Sequence, residues 1–132
     1  MSERYVIDTQ CWLWAQSAPD RLSKAAAAAI ADTRNEIFFS AAVGWEIAIK
    51  HALGKLTLPS SPERYVTSRV RSGLLTVLPI QLEHTLRVAK LPQHHRDPFD
   101  RILVAQAQVE KLKLITADAQ LRVYDVRVLW AG

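Results

Sequence analysis

The chain has 132 residues, of which 49% are hydrophobic and 23% charged, and its net charge is +4. A chain of this length and apolar content can bury roughly two thirds of its unfolded surface, so we expect one domain spanning residues 1–132. The single cysteine, Cys11, excludes an intramolecular disulfide and a paired-cysteine metal site, and we expect it to be a small buried residue.

We expect no targeting or membrane-spanning segment. A strand-like segment begins at Tyr5, which leaves no room for a signal peptide, and no apolar run approaches the ~20 residues of a membrane span. A cytoplasmic location follows as an expectation. The excess of basic residues favours a polyanionic partner, and does so more strongly if several acids are reserved for a metal.

The sequence alternates short apolar strands with helices. In chain order, the first half is predicted to hold a strand at Tyr5–Ile7, helices at Cys11–Ala15 and Ala25–Ala31, a strand at Ile37–Phe39 and a helix at Val43–Leu53. The second half is predicted to hold a helix at Pro62–Ser72, a strand at Leu74–Leu78, helices at Ile80–Ala89 and Phe99–Lys111, a strand at Leu114–Thr116, a helical turn at Asp118–Leu121 and a strand at Val126–Trp130. This alternation predicts an α/β fold with three layers, α/β/α, around a mostly parallel sheet of four to five strands.

Four acidic residues lie where a predicted strand gives way to a helix, or in the helix that follows. They are Asp8, Glu46, Asp100 and Asp118. In a parallel sheet these points gather along one edge, so the carboxylates can meet. Two carboxylates about 4 Å apart repel by roughly 4 kcal/mol at an effective dielectric near 20, so a cluster needs protons, cationic partners or a metal. Mg²⁺ is the simplest answer, and such a site suits phosphodiester hydrolysis.

Two of these acids also have a purely structural interpretation. Asp8 could cap the first helix by accepting backbone N–H bonds. Glu46 could form an ordinary helix ion pair with Lys50, four residues later, worth a few tenths of a kcal/mol. Both roles of Glu46 can hold if Lys50 offsets charge at the rim of a metal site.

Asp97 and Asp100 are expected to play different parts. Pro98 favours the first helical turn and disfavours helix at the residue before it, so Asp97 is the predicted N-cap and Asp100 the inward-facing ligand. The flanking Arg96 and Arg101 could neutralise charge or meet phosphate, or could be solvated surface, which is the expectation for Arg96.

Other polar side chains near the acids have simpler explanations. The hydroxyls of Thr9, Ser40 and Thr116 could contact metal or phosphate, although helix capping is the stronger expectation. His94 and His95 are adjacent and have no second pair at ligand spacing, so a solvated loop is expected rather than a zinc site. The four tryptophans are expected in the core or at a subunit interface.

Four segments taken together resemble the PIN domain: V-I-D-T, A-A-V-G-W-E-I-A-I-K, H-R-D-P-F-D-R-I-L-V-A-Q-A and L-I-T-A-D. The D-P-F-D-R element is similar to that of VapC toxins of type II toxin–antitoxin systems, and the resemblance runs from Tyr5 to Trp130. It implies a PIN-like fold and an Mg²⁺- or Mn²⁺-dependent ribonuclease that blocks translation. It also implies a small cognate antitoxin whose tail covers the acidic groove, and commonly a homodimer.

The resemblance maps the family's acidic positions onto the four acids named above. Our hypothesis is that Asp8, Asp100 and Asp118, helped by Glu46, hold Mg²⁺ and activate water for attack on RNA, whether tRNA, rRNA or mRNA. The first predicted substrate contacts are Lys50 and Arg101, followed by Thr9, Ser40 and Thr116. A non-catalytic RNA-binding module is the main alternative. A phosphoacceptor receiver domain is a weaker one, because such domains carry paired acids near the end of the first strand, and no second acid follows Asp8.

Overall fold

A computed structural model describes residues 2–132, and its centre is one sheet of five strands. The strands are β1 at Arg4–Ile7, β2 at Glu36–Ser40, β3 at Thr76–Leu78, β4 at Lys113–Thr116 and β5 at Val128–Trp130. Their order is β3-β2-β1-β4-β5, and each neighbouring pair is parallel. The predicted α/β class and strand number are confirmed, and the sheet is wholly rather than mostly parallel.

Six helices connect the strands. They are α1 at Thr9–Ser17, α2 at Lys24–Ala31, α3 at Ala41–Ala52, α4 at Pro62–Ser72, α5 at Leu82–Val88 and α6 at Pro98–Glu110, with 3-10 turns at Pro19–Arg21 and Ala119–Val123. Each predicted element is present, with ends that move by a few residues. The strand predicted from Leu74 begins only at Thr76, because Leu74 has a φ of 56° and breaks the extended backbone after α4. No helix in the described part of the chain is long and apolar enough to cross a membrane.

Polar side chains begin most of the helices. Ser23, Ser40 and Ser61 accept backbone N–H bonds at the start of α2, α3 and α4, while Asp8 and Asp97 do the same for α1 and α6. Such caps satisfy N–H groups that have no partner within the helix. The capping roles predicted for Ser40 and Asp97 are therefore confirmed.

The two central strands, β1 and β4, lie where the strand order reverses. Their apolar residues Val6, Ile7, Leu114 and Ile115 are fully buried, which fits strands covered on both faces. Right-handed connections on either side of the reversal put helices on opposite faces of the sheet. The crevice at the carboxyl ends of β1 and β4 is the topological switch point, where ligands bind in open parallel sheets.

Candidate metal centre

An acidic cleft of about 230 Å³ opens at this switch point. Five carboxylates line it, from Asp8, Glu46, Asp97, Asp100 and Asp118. The other lining residues are Thr9, Gln10, Trp14, Lys50 and Ala117. All four acids singled out from the sequence thus lie in one cleft, which is called the acidic cleft below.

Asp8 is fixed from two sides. Its Oδ1 accepts the Cys11 N–H at 2.8 Å, and its Oδ2 accepts the Thr116 hydroxyl at 2.5 Å. Burial raises the pKa of Asp8 even though both bonds oppose the shift, and the nearby Asp118 raises it further. Each carboxylate oxygen has about two acceptor positions, so one bond to each leaves capacity for a cation. The cap interpretation is correct and does not exclude a ligand role.

Asp100 lies in the first turn of α6 behind its cap. Asp97 Oδ1 accepts the N–H groups of Phe99 at 2.8 Å and Asp100 at 3.4 Å, which confirms the predicted cap. Both aspartates line the acidic cleft, and the ligand role of Asp100 stays a prediction. Burial, followed by the repulsion of Asp97, raises the pKa of Asp100 to about 7. Without a metal, the cleft therefore favours a protonated Asp100 near neutral pH.

His95 is the residue that sequence reasoning missed. Its Nε2 lies 3.1 Å from Asp118 Oδ2 and 3.3 Å from Asp100 Oδ2, and its side chain is only 13% exposed. Its Nδ1 accepts the Asp97 N–H at 3.0 Å, so the neutral ring carries its proton on Nε2 and donates it to Asp118. The prediction of a solvated loop is wrong for His95. In this tautomer His95 orients carboxylates and is not itself a metal ligand.

Glu46 has its charge balanced within the protein. It is 5% exposed, its Oε1 accepts the Thr9 hydroxyl at 2.5 Å, and Lys50 Nζ donates to its Oε2. That bond raises the pKa of Lys50, whose side chain is 45% exposed at the rim of the cleft. The predicted ion pair is confirmed, and Glu46 lies in the same cleft as the three aspartates.

The donor chemistry of the cleft fits a hard divalent cation. Carboxylate oxygens are the ligands that Mg²⁺ prefers. Among the lining residues Lys50 is the one lysine or arginine, and it is paired with Glu46. Burial, with repulsion from neighbouring carboxylates added to it, raises the pKa values of Asp8 and Asp100. A divalent cation would relieve that repulsion.

Three predicted substrate contacts are corrected, beginning with those of Ser40 and Arg101. Ser40 is fully buried, and its hydroxyl donates to Gln106 Oε1 at 2.6 Å while accepting the Ala42 N–H. Arg101 is 7% exposed, and its guanidinium donates to backbone carbonyls, including Pro92 at 2.9 Å and Val88 at 3.1 Å. The Ser40 bond joins the end of β2 to α6, and the Arg101 bonds hold the α5–α6 connection, so neither side chain is free to meet RNA.

The hydroxyls of Thr116 and Thr9 both donate hydrogen bonds to carboxylates. Thr116 is fully buried, donates to Asp8 and accepts the Asp118 N–H at 3.0 Å, which corrects its predicted contact with substrate. Thr9 lines the cleft, but its hydroxyl is directed at Glu46. Both hydroxyls hold acids in place, and the substrate contact proposed for Thr9 stays a prediction.

A second group of possible metal ligands has a structural role. Glu83, His84 and Glu110 lie close together on α5 and α6, and His84 is fully buried. The Gln81 N–H donates to His84 Nδ1 at 2.9 Å, so Nε2 carries the proton and donates it to Glu110 at 2.8 Å. Because Nε2 is a donor, this group joins two helices and does not present a free ligand nitrogen.

The fold and the cleft define a class: parallel α/β proteins with an acidic centre at the switch point of the sheet. A family model described as PIN domain matches residues 5–127. The chain belongs to the PIN domain family.

Solved structures share the fold, and one curated relative shares part of the sequence. Ribonuclease VapC16 of Mycobacterium tuberculosis (strain ATCC 25618 / H37Rv) is 43% identical over 58 residues, which cover 44% of this chain and 41% of that protein. The match thus spans less than half the length of the relative. VapBC2 from Rickettsia felis, bound to a DNA fragment from its promoter, covers 98% of this chain and 99% of its own with a TM-score of 0.72 and 13% identity. A toxin–antitoxin complex from Klebsiella pneumoniae covers 95% of both chains with a TM-score of 0.61 and 18% identity.

Proposed function

We propose that this chain, as a single domain, is a divalent-metal-dependent endoribonuclease and the toxin of a type II toxin–antitoxin system. The observation that carries the proposal is the convergence of Asp8, Asp100 and Asp118 in one cleft at the switch point, where burial and neighbouring carboxylates raise the pKa of Asp8 and Asp100. A ribonuclease relative supports the activity, and a structural neighbour from a toxin–antitoxin complex supports the kind of system.

The three aspartates supply the oxygen ligands, and Glu46 supports them from α3. Bound Mg²⁺, or Mn²⁺, supplies a polarised water of lowered pKa and neutralises charge that develops on the phosphate. The protein contributes positioning. The Thr116 hydroxyl and the Cys11 N–H fix Asp8, and the remaining acceptor positions of its carboxylate can orient the attacking water.

The substrate is an RNA phosphodiester. The water oxygen forms a bond to phosphorus and gives up a proton to solvent. The bond from phosphorus to the leaving ribose oxygen breaks, that oxygen takes up a proton from solvent to become a hydroxyl, and no covalent enzyme intermediate forms. Lys50 lies at the cleft rim with a half-exposed side chain, so its ammonium can hold a non-bridging phosphate oxygen. Cleavage of tRNA, rRNA or mRNA in the cytoplasm would block translation.

The proposed protein partners are a small cognate antitoxin and a second copy of the chain. An apolar cleft of about 490 Å³ lies beside the acidic cleft, between α3, α5 and α6. Trp45 on its wall is 59% exposed, and on α5 the side chains of Leu82 and Leu86 are 73% and 62% exposed. An exposed indole on the wall of an apolar cleft, with further exposed leucines on α5, supports a protein partner on this side.

The proposal is tested with Asp100→Asn protein purified free of antitoxin. We expect Mg²⁺-dependent cleavage of single-stranded RNA by the wild type and loss of that cleavage in the variant, because the substitution removes a charged ligand. The exposed Asp20→Asn, which lies outside the cleft, is the matched control and should cleave normally. Cleavage by Asp100→Asn at the wild-type rate would refute the assignment.

A further inference from the structure

A second cleft adjoins the acidic cleft along α1. It has a volume of about 430 Å³, and Gln10 and Trp14 line both clefts. These two residues are four apart on α1, so they lie on one face of the helix that begins after Asp8. We call this second cleft the α1 groove. Its lining residues are Gln10, Leu13, Trp14, Ser17, Ala18, Arg21, Leu56, Thr57, Leu58, Pro59 and Tyr65.

The α1 groove pairs an aromatic face with a cation. The Arg21 guanidinium carbon lies 6.0 Å from the centroid of the Trp14 ring, at the outer limit of a cation–π contact. Trp14 is only partly buried, and Arg21 is exposed. No carboxylate is among the residues that line the groove. An indole beside an exposed guanidinium can hold a base by stacking and a phosphate by ion pairing, so this pair matches a nucleotide.

The position and size of the groove also fit a nucleotide. Trp14 is six residues beyond Asp8, a distance of about 9 Å along the helix axis, so a base on Trp14 would adjoin a phosphate in the acidic cleft. A volume of 430 Å³ lies within the roughly 300–1,000 Å³ of small-molecule sites. A base must be unpaired to present its face, so the site suits single-stranded RNA.

We propose that the α1 groove binds the nucleotide next to the scissile phosphate of single-stranded RNA, with its base stacked on Trp14 and its phosphate paired with Arg21. This inference rests on the ribonuclease function proposed above and adds a binding subsite to it. Stacking accepts every base, so the groove contributes affinity and a requirement for an unpaired nucleotide, with little selection among bases.

The first test compares Trp14→Ala with Trp14→Phe on a short single-stranded oligoribonucleotide that the wild type cleaves at one position with Mg²⁺. Loss of one stacked base should raise KM about 5- to 100-fold with kcat nearly unchanged. Phenylalanine keeps an aromatic face and should restore most of the affinity. Arg21→Ala should also raise KM, whereas Arg122→Ala should not. Arg122 is the matched control because its guanidinium lies 4.2 Å from the Trp130 ring, away from both clefts.

The second test replaces single nucleotides of the same RNA by abasic ones. If the base stacks on Trp14, one abasic position raises the KM of the wild type, and Trp14→Ala adds nothing further at that position. If Trp14→Ala raises KM by the same factor wherever the abasic nucleotide stands in the RNA, the proposal is overturned. Trp14 also packs against the core, so Trp14→Ala could fail to fold. In that case the KM values of Arg21→Ala and Arg122→Ala are compared. A KM raised in Arg21→Ala alone supports the proposal, and equal KM values overturn it.

Three further outcomes are distinguishable. If Trp14→Ala and Arg21→Ala leave RNA kinetics unchanged and weaken only inhibition by the cognate antitoxin, the groove binds a protein segment and the proposal is overturned. If Asp100→Asn cleaves RNA as the wild type does, the proposed function fails, whatever the groove binds. Loss of cleavage in Asp100→Asn with normal KM in Trp14→Ala and Arg21→Ala refutes the subsite alone.

Discussion

Replacing Asp100 by asparagine removes one negative charge from the acidic cleft and keeps the shape of the side chain. Burial and the neighbouring Asp97 raise the pKa of Asp100 from its ordinary value of 3.8 to about 7 in the folded protein. Between these two pH values the folded state holds a proton that the unfolded state has already released. The free energy of unfolding of the metal-free protein therefore falls as the pH rises from 3.8 to about 7.

The size of this change in the free energy of unfolding follows from the difference between the two pKa values of Asp100, 3.8 and about 7. One pH unit of protonation difference corresponds to about 1.4 kcal/mol, so the full interval corresponds to about 4 kcal/mol. The side chain of Asp100 is 20% exposed, so solvent screening makes this figure an upper bound. Asp100→Asn has no proton to lose. It should be up to about 4 kcal/mol more stable than the wild type at pH 8, which raises Tm on the order of 10 °C.

The assay is thermal and urea unfolding in EDTA, followed by circular dichroism from pH 4 to pH 8. The stability advantage of Asp100→Asn should appear only above pH 4 and grow to pH 7, and Mg²⁺ should stabilise the wild type but not the variant. The exposed Asp20→Asn controls for loss of a carboxylate outside the cleft. If the stabilities of the wild type and Asp100→Asn change with pH in the same way, the pKa of Asp100 is not raised in the metal-free protein and the reasoning is refuted.

Three further substitutions separate the roles of the neighbouring residues. Thr116→Val removes the hydroxyl that donates to Asp8 and should weaken Mg²⁺ affinity, measured by calorimetry, about 10- to 100-fold. Thr116→Ser keeps a hydroxyl and should restore the affinity, whereas an unchanged affinity in Thr116→Val would contradict the positioning role. His95→Ala removes the donor to Asp118 and should weaken Mg²⁺ binding by a similar factor while leaving urea unfolding in EDTA little changed; equal binding would show that the hydrogen bond is dispensable. Arg101→Ala removes the buried guanidinium that donates to the backbone carbonyls and should lower the free energy of unfolding in urea by about 2–4 kcal/mol. A raised KM for RNA at normal stability would instead show that Arg101 contacts substrate.

The sequence was sufficient for the parts of the site that backbone geometry decides. Asp8 and Asp118 follow apolar strands, and parallel strands end at a common edge, so their meeting follows from the fold class. The separation of Asp97 from Asp100 depends only on local sterics at Pro98. These predictions required no knowledge of how distant side chains are oriented.

The sequence was not sufficient where tertiary contacts decide the direction of a side chain. Arg101 follows two acids in the D-P-F-D-R element, which suggested phosphate binding, but its guanidinium turns inward because carbonyls from Val88 to His95 converge on it. That convergence also shapes the loop that brings His95 to the carboxylates. One local sign existed for His95: it lies two residues before an N-cap aspartate, close enough for its ring to accept the cap's own N–H.

The most direct test of the central claim is a map of new RNA 5′ ends in cells after brief induction of the chain, compared with induction of Asp8→Ala. If Asp8, Asp100 and Asp118 form a metal centre that cleaves RNA, the wild type produces new ends at defined positions, and Asp8→Ala produces none at equal protein level. The same ends in both strains, or none in the wild type while growth still stops, would contradict the claim.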